Sequence, residues 1–165
     1  MVKSFEILSQ SPSQTKKIGQ ILAKEILKAK TKRAFVLGLI GDLGGGKTTF
    51  LKGFAKGLKI KEKILSPSFV IIKKYELRSA KKRRKRSSNL QTSYFRLFHI
   101  DCYRISKPKE ILNLGFKEII LDPKNIVAIE WADRIKKILP RGTLILKFDF
   151  LNQKKRKITL WEKNV

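Results

Sequence analysis

Ala34-Phe35-Val36-Leu37-Gly38-Leu39-Ile40-Gly41-Asp42-Leu43-Gly44-Gly45-Gly46-Lys47-Thr48 is the stretch on which the fold turns. Ala34 to Ile40 is a continuous apolar run, the pattern of a strand buried on both faces of a sheet. Gly41 to Thr48 fits G-x-x-x-x-G-K-[ST], and a helix is predicted to follow from about Lys47 to Gly57. Strand, glycine-rich turn and helix in that order are the setting of a P-loop. Glycines admit positive φ and let the backbone approach a polyphosphate closely, so that successive N–H groups and the positive end of the helix surround it. In such a loop Lys47 reaches the β and γ phosphates and Thr48 offers its hydroxyl to Mg²⁺. With glycine at about 7% of residues the pattern arises by chance in well under about 1% of chains this long, which makes a glycine-rich turn with an incidental lysine the weaker reading.

Upstream, Phe5 to Leu8 reads as a short strand leading into Ser11-Pro12-Ser13-Gln14, a capping serine with proline at the first helical position and glutamine three residues after the cap. The spacing predicts a helix to about Lys30, with Ile18, Ile21, Leu22, Ile26 and Leu27 on one face, before a polar Thr31-Lys32-Arg33 connection. Downstream, Phe69 to Leu77 and Tyr94 to Ile100 are strand-like and flank the polar, basic segment Arg78 to Ser93, read as a long loop or hairpin tip. Glu110 to Gly115 is a short helix, Ile126 to Ile129 a buried strand, and Ala132 to Leu139 a helix closed by Pro140. Thr143 to Leu151 and Lys157 to Trp161 are strands around the basic turn Asn152 to Arg156. The expectation is a single α/β domain over residues 1–165, P-loop NTPase-like and three-layered, with a mixed, largely parallel central sheet.

A P-loop enzyme also needs a carboxylate for Mg²⁺ or its waters, commonly at the end of another buried strand. Glu130 ends the run Ile126-Val127-Ala128-Ile129, though a carboxylate at a strand end can also simply face solvent. Asp101 ends the Tyr94 to Ile100 strand within His99-Ile100-Asp101-Cys102-Tyr103-Arg104. It is open to two readings, ordering an attacking or Mg²⁺-bound water, or serving structurally as a helix cap or an ion-pair partner of Arg104. His99, the single histidine, is either a satisfied imidazole at a sheet end or a general acid or base. Cys102 reads as a small buried residue.

Composition bounds the partners. Among 165 residues, 39 Lys and Arg against 13 Asp and Glu give a formal charge of +26, while 42% hydrophobic residues suffice for a core. No apolar stretch approaches the roughly 20 residues that span a bilayer, and the N-terminus lacks a signal-peptide h-region, so a cytoplasmic protein is expected. One cysteine and one histidine exclude an internal disulfide or a zinc staple. Lys81 to Arg86 reads KKRRKR; without that run and Arg78 the rest stays strongly basic. Solvated insertion, contact for tRNA or another nucleic acid, and nuclear import signal are the readings open for it, and with no aromatic interleaved it suits phosphates better than bases.

Taken together, GDLGGGKTTF, Ser66-Pro67-Ser68-Phe69, HIDCYR, LGFKEI around Gly115 and IEWAD occur in the order and approximate spacing of the TsaE (YjeE) family, which the chain resembles over nearly its whole length. These are small bacterial P-loop ATPases of the machinery that makes the threonylcarbamoyladenosine modification of tRNA. The resemblance implies ATP and Mg²⁺ as ligands, with Gly41 to Thr49 as the phosphate loop: Asp42, Leu43, Gly44, Gly45, Gly46, Lys47, Thr48 and Thr49. It implies Thr48 and Glu130 as Mg²⁺ ligands and Asp101 as a residue needed for hydrolysis beside Lys47. Ser66 to Phe69 resembles a switch-like loop near the γ-phosphate, with Ser68 where the family more often has threonine; the resemblance also implies Trp131 beside the nucleotide and Thr15 near its adenine end. Implied partners are TsaB and TsaD, of which TsaD performs the transfer, and the isolated ATPase is expected to be slow. The departure is the basic insertion, longer than the family's short hairpin, which bears on how this chain meets tRNA. Rival readings are a small-molecule or nucleoside kinase and a nucleic-acid-binding module with a P-loop scaffold; a GTPase is disfavoured because no Asn-Lys-x-Asp motif occurs.

Overall fold

A computed structural model describes residues 4–64, 70–77 and 93–164. The Ser66-Pro67-Ser68-Phe69 stretch and the KKRRKR run fall outside them. After strand β1 (Ser4–Ser9), Ser11 caps helix α1 (Pro12–Ile26): its hydroxyl accepts the Gln14 N–H at 3.1 Å, and Pro12 occupies the first turn, where a missing N–H costs nothing. Gln14 reaches back to the Gln10 N–H at 2.6 Å, one residue before the serine. Strand β2 (Phe35–Ile40) and helix α2 (Lys47–Gly57) follow as the sequence predicts. Then come β3 (Ile72–Glu76), β4 (Arg96–Asp101), the short helices α3 (Pro108–Leu112) and α4 (Phe116–Leu121), β5 (Asn125–Glu130), β6 (Leu144–Phe150) and β7 (Arg156–Glu162).

Seven strands of the described residues form one sheet in the order β1-β7-β6-β2-β5-β4-β3. β2 runs parallel to β5 and β6, and β4 parallel to β5; β3 on β4, β7 on β6 and β1 on β7 are antiparallel. The sheet is therefore parallel in its four central strands and antiparallel toward both edges. Alternate side chains build a core on each face. Leu37, Leu39, Ile126, Ala128, Leu146 and Phe148 pack toward α1 and α2, while Val36, Val127, Ile129 and Ile145 pack toward α3 and α4. No helix of the described residues is long and apolar enough to cross a membrane.

Three local expectations change. The buried face of α1 is Thr15, Gly19, Ala23 and Ile26, with Ile18 and Leu22 flanking it, whereas Ile21 is 52% exposed. Small residues replace bulky ones there because α2 lies very close: a Cβ at Gly19 would strike the Phe50 carbonyl oxygen, and one at Gly57 would sit 2.6 Å from the Ala23 Cβ. Ala132–Ile138 is a 3₁₀ segment kinked at Ile135, not an α-helix. Ala132, Ile135 and Ile138 recur every third residue, the 3₁₀ period, and all three turn toward the second core. Helix α4, unforeseen, starts after Gly115 in the left-handed region at φ +81°, and buries Phe116 with Ile119 and Ile120 half-covered.

Candidate active site

The parallel strands β2, β4, β5 and β6 deliver their carboxyl ends to one edge of the sheet, where open α/β sheets bind ligands. The loop after β2 takes its shape from backbone constraints. Gly41 has φ +132°, and a Cβ there would strike the Phe148 carbonyl oxygen. Gly46, at φ +105°, caps α2 without any side-chain hydrogen bond, so the helix keeps its first-turn N–H groups for a ligand.

Lys47 enters this loop from the first turn of α2 and is only 5% exposed. Its ammonium donates to the carbonyl oxygens of Gly41 at 2.6 Å and Asp42 at 2.8 Å, and sits 4.0 Å above the centroid of the Trp131 ring. Burial holds its pKa below the usual lysine value, against the opposing pull of Glu130, Asp133, Asp42 and Asp101. The cation is thus desolvated and held by neutral acceptors that an anion can replace.

Glu130, last residue of β5 and 3% exposed, accepts the Thr48 hydroxyl at 3.0 Å through Oε2. Its Oε1 lies 2.9 Å from Nε2 of His99, itself 1% exposed on β4. A carboxylate only accepts, which places a proton on Nε2, and His99 Nδ1 has no hydrogen-bond partner among the described residues. His99 thus makes its hydrogen bond at the sheet end to the site carboxylate. Asp101 pairs in register with Glu130 across β4 and β5, and its Oδ1 accepts the Tyr103 N–H at 2.9 Å, bracing the turn that leaves β4. Cys102 is fully buried, and burial first, with Asp101 and Asp133 adding, pushes its thiol up to about 12; it is a packing residue.

Trp131 adopts left-handed φ +57°, ψ +43°, a conformation that costs a bulky residue about 1–3 kcal/mol. That turn lays its ring against the Lys47 ammonium and 5.1 Å from the Tyr103 ring. The loop residues Leu43 to Thr49, with Asp101, Glu130 and Trp131, line one cavity of about 520 Å³. Asp42 contributes its carbonyl oxygen to Lys47, with its residue exposed outside the cavity wall. Thr15 is not brought there: its hydroxyl is 2.8 Å from that of Ser9 and donates to the Ser11 carbonyl at 3.2 Å, 2% exposed between β1 and α1. Ser68 lies outside the described residues. The sequence reading missed Tyr103, Arg104 and Arg156 in the wall. HIDCYR and the strand-turn-strand pattern at the C-terminal end were visible, but which side of the loop each would reach depends on strand order.

A protein-family model described as threonylcarbamoyl adenosine biosynthesis protein TsaE matches residues 9–158. The chain belongs to the TsaE family. A TsaE relative from Bacillus subtilis, named as a tRNA threonylcarbamoyladenosine biosynthesis protein, is 34% identical over 158 residues, 96% of this chain and 85% of its own. A relative of the same name from Aquifex aeolicus is 31% identical over 160 residues, 96% of both chains. Among solved structures, the crystal structure of Bacillus subtilis YdiB is similar with a TM-score of 0.69 at 31% identity, covering 99% of this chain and 88% of that one. TsaE membership thus rests on nearly the whole length.

Proposed function

We propose that the chain is the ATP-binding and ATP-hydrolysing component of tRNA threonylcarbamoyladenosine biosynthesis, acting with TsaB and TsaD. The observation that carries this reading is the Thr48 hydroxyl bound to Glu130 at the foot of a glycine loop whose lysine is held by two neutral carbonyls. The donor set suits ATP and Mg²⁺: a loop with no room for a Cβ at Gly41 or Gly45, uncapped helix N–H groups, one hydroxyl and one buried carboxylate with lone pairs to spare. Mg²⁺ bound by Thr48 and Glu130 would supply neutralisation of phosphate charge.

The chain's own residues do the rest. A phosphate oxygen is a stronger acceptor for Lys47 than a loop carbonyl, so ATP draws the ammonium off Gly41 and Asp42 and leaves it on the β and γ phosphates. Asp101 accepts from a water at the phosphate end, a role supported by its position beside Glu130 on the next strand. The partner proteins complete the site, so slow turnover is expected of the isolated chain. Both relatives carry the name of this modification pathway, and the strongly basic composition favours a tRNA-associated setting.

Phosphate release from ATP, measured for wild type and Lys47→Ala, each alone and with TsaB plus TsaD, is the test. Expected are slow release alone, a rise with the partners, and loss of at least about 100-fold in Lys47→Ala, the scale of removing one preorganised charge-stabilising donor. Release indifferent to the partners, or phosphoryl transfer to a nucleoside with no free phosphate, would reject the reading, the latter in favour of a kinase.

A further inference from the structure

Arg156 opens β7 directly after the turn at residues 151–155, and the strand order brings it to the phosphate loop. β6 runs parallel to β2 and ends beside it, so the β6–β7 turn lies at the same sheet edge as the glycines. Nη2 of Arg156 donates to the Gly44 carbonyl oxygen at 3.0 Å. Nη1 donates to the carbonyl oxygens of Asn152 and of Lys155, the latter at 2.9 Å, and the guanidinium lies 4.4 Å from the centroid of the Phe150 ring. A Cβ at Gly46 would rest 3.7–3.9 Å from Cγ, Nε and Cδ of Arg156, so the side chain runs alongside the loop.

Two features make this arrangement incomplete. Each of those acceptors is neutral, and among the described residues no carboxylate pairs with the guanidinium. Its Nε–H is buried with no hydrogen-bond partner among the described residues, although the residue forms part of the cavity wall. A partly desolvated cation with an unused donor lacks the anion that would satisfy both, and the Nε–Nη2 edge of a guanidinium matches two oxygens of one phosphate.

The sheet order says which phosphate. Glu130 and Asp101 belong to β5 and β4 on one side of β2, whereas Arg156 comes from β7, beyond β6 on the other side. A polyphosphate whose metal-bound end sits at Thr48 and Glu130 turns its nucleoside-proximal end toward Arg156. We infer that Arg156 is a nucleotide-binding residue that grips the α-phosphate through Nε and Nη2, opposite the metal-binding pair. The inference rests on the ATP reading of the site and adds to it a second cation with a separate phosphate.

Isothermal titration with ADP and with ATP, on wild type, Arg156→Ala and Arg156→Gln at several salt concentrations, tests it. The two variants divide the roles of the side chain: Arg156→Ala removes it altogether, whereas Arg156→Gln keeps an amide donor for Gly44 while removing the charge. Affinity for both nucleotides should fall about 10- to 100-fold in both variants, as for loss of a charge-assisted bond. The salt dependence of ADP binding should also become shallower, since one cation facing the phosphates is gone. Wild-type affinity in Arg156→Gln with unchanged salt dependence would make Arg156 a pin for Gly44 and overturn the proposal. Loss confined to ATP would move the contact to the γ-phosphate and also overturn it. Wild-type protein that binds neither nucleotide would remove the ATP reading itself, a result distinct from normal binding in the variants.

Discussion

At the scale of single residues the site is a chain of buried contacts from His99 through Glu130 to Thr48. His99 holds one carboxylate oxygen, which leaves the other aimed at the first turn of α2. His99→Leu should cost roughly 1.5–3 kcal/mol of stability, the scale of a hydrogen bond to a charged group, and should raise the Mg²⁺ concentration needed for half-maximal activity. His99→Gln, with a donor near the Nε2 position, should recover most of the Mg²⁺ response; equal Mg²⁺ dependence in both variants and wild type would show that His99 does not orient Glu130. Cys102 gives a pH prediction. Its thiol is raised from 9.0 to about 12 in the fold, so the unfolded chain releases that proton first. The contribution to stability is complete below about pH 9 and is lost as pH rises from there toward about 12. A thiol reagent at about pH 8, below the thiol's range in either state, should therefore leave the native protein unlabelled and label it in denaturant; rapid labelling of native protein would contradict the burial. Of these residues, Lys47, Thr48, Glu130 and Asp101 were legible from the sequence, because motif and strand ends carry them. The His99–Glu130 bond was not, since it depends on β4 and β5 being neighbours in register.

At the scale of elements, β2, α2 and the Ser11 cap followed closely from apolar runs and caps, whereas α1 stops at Ile26 instead of about Lys30 and the helix expected over Glu110 to Gly115 spans Pro108–Leu112. On α1, Ile18, Leu22 and Ile26, with Leu27 just past its end, pack on the core as hydrophobicity predicts, but Ile21 is exposed, because proximity to α2 and not hydrophobicity decides the centre of that face. Gly19, Gly53 and Gly57 are what let the two helices meet, and a Cβ at Gly53 would overlap the Lys16 carbonyl oxygen. Alanine gains about 1 kcal/mol in helix propensity over glycine, but a backbone overlap forces α1 away and costs about 1–3 kcal/mol or more. Gly53→Ala should therefore lower Tm by several degrees, at roughly 2–4 °C per kcal/mol for a chain of this size. Thermal unfolding followed by circular dichroism decides it; a Tm unchanged or raised would mean that the helices have room to spare. The 3₁₀ segment makes the same point in another form: a spacing of three satisfied the core where a spacing of three and four was assumed.

At the scale of the molecule, charge is laid out by layer. Lys16, Lys17, Lys24, Lys52 and Lys56 stand exposed on α1 and α2, with Lys28 exposed just past the end of α1. Glu25 is the one exposed acid of these two helices and is paired with Lys28 at 2.7 Å. That layer is electropositive independently of the Arg78 to Ser93 segment, so a polyanion has two sources of attraction to choose between. Counterion release separates them, because each phosphate neutralised adds roughly 0.7 to the slope of log affinity against log salt for single strands. Deleting Arg78 to Ser93 removes seven basic residues and should flatten the slope for a single-stranded RNA by at most about 5, leaving measurable binding at low salt. Filter binding over a salt series checks this, with Lys47→Ala expected to follow wild type because its buried ammonium does not face the helical layer. An unchanged slope after the deletion would assign the RNA contact to the α1 and α2 surface alone, and complete loss of binding would assign it to the segment; the charge on α1 and α2 predicts the intermediate result.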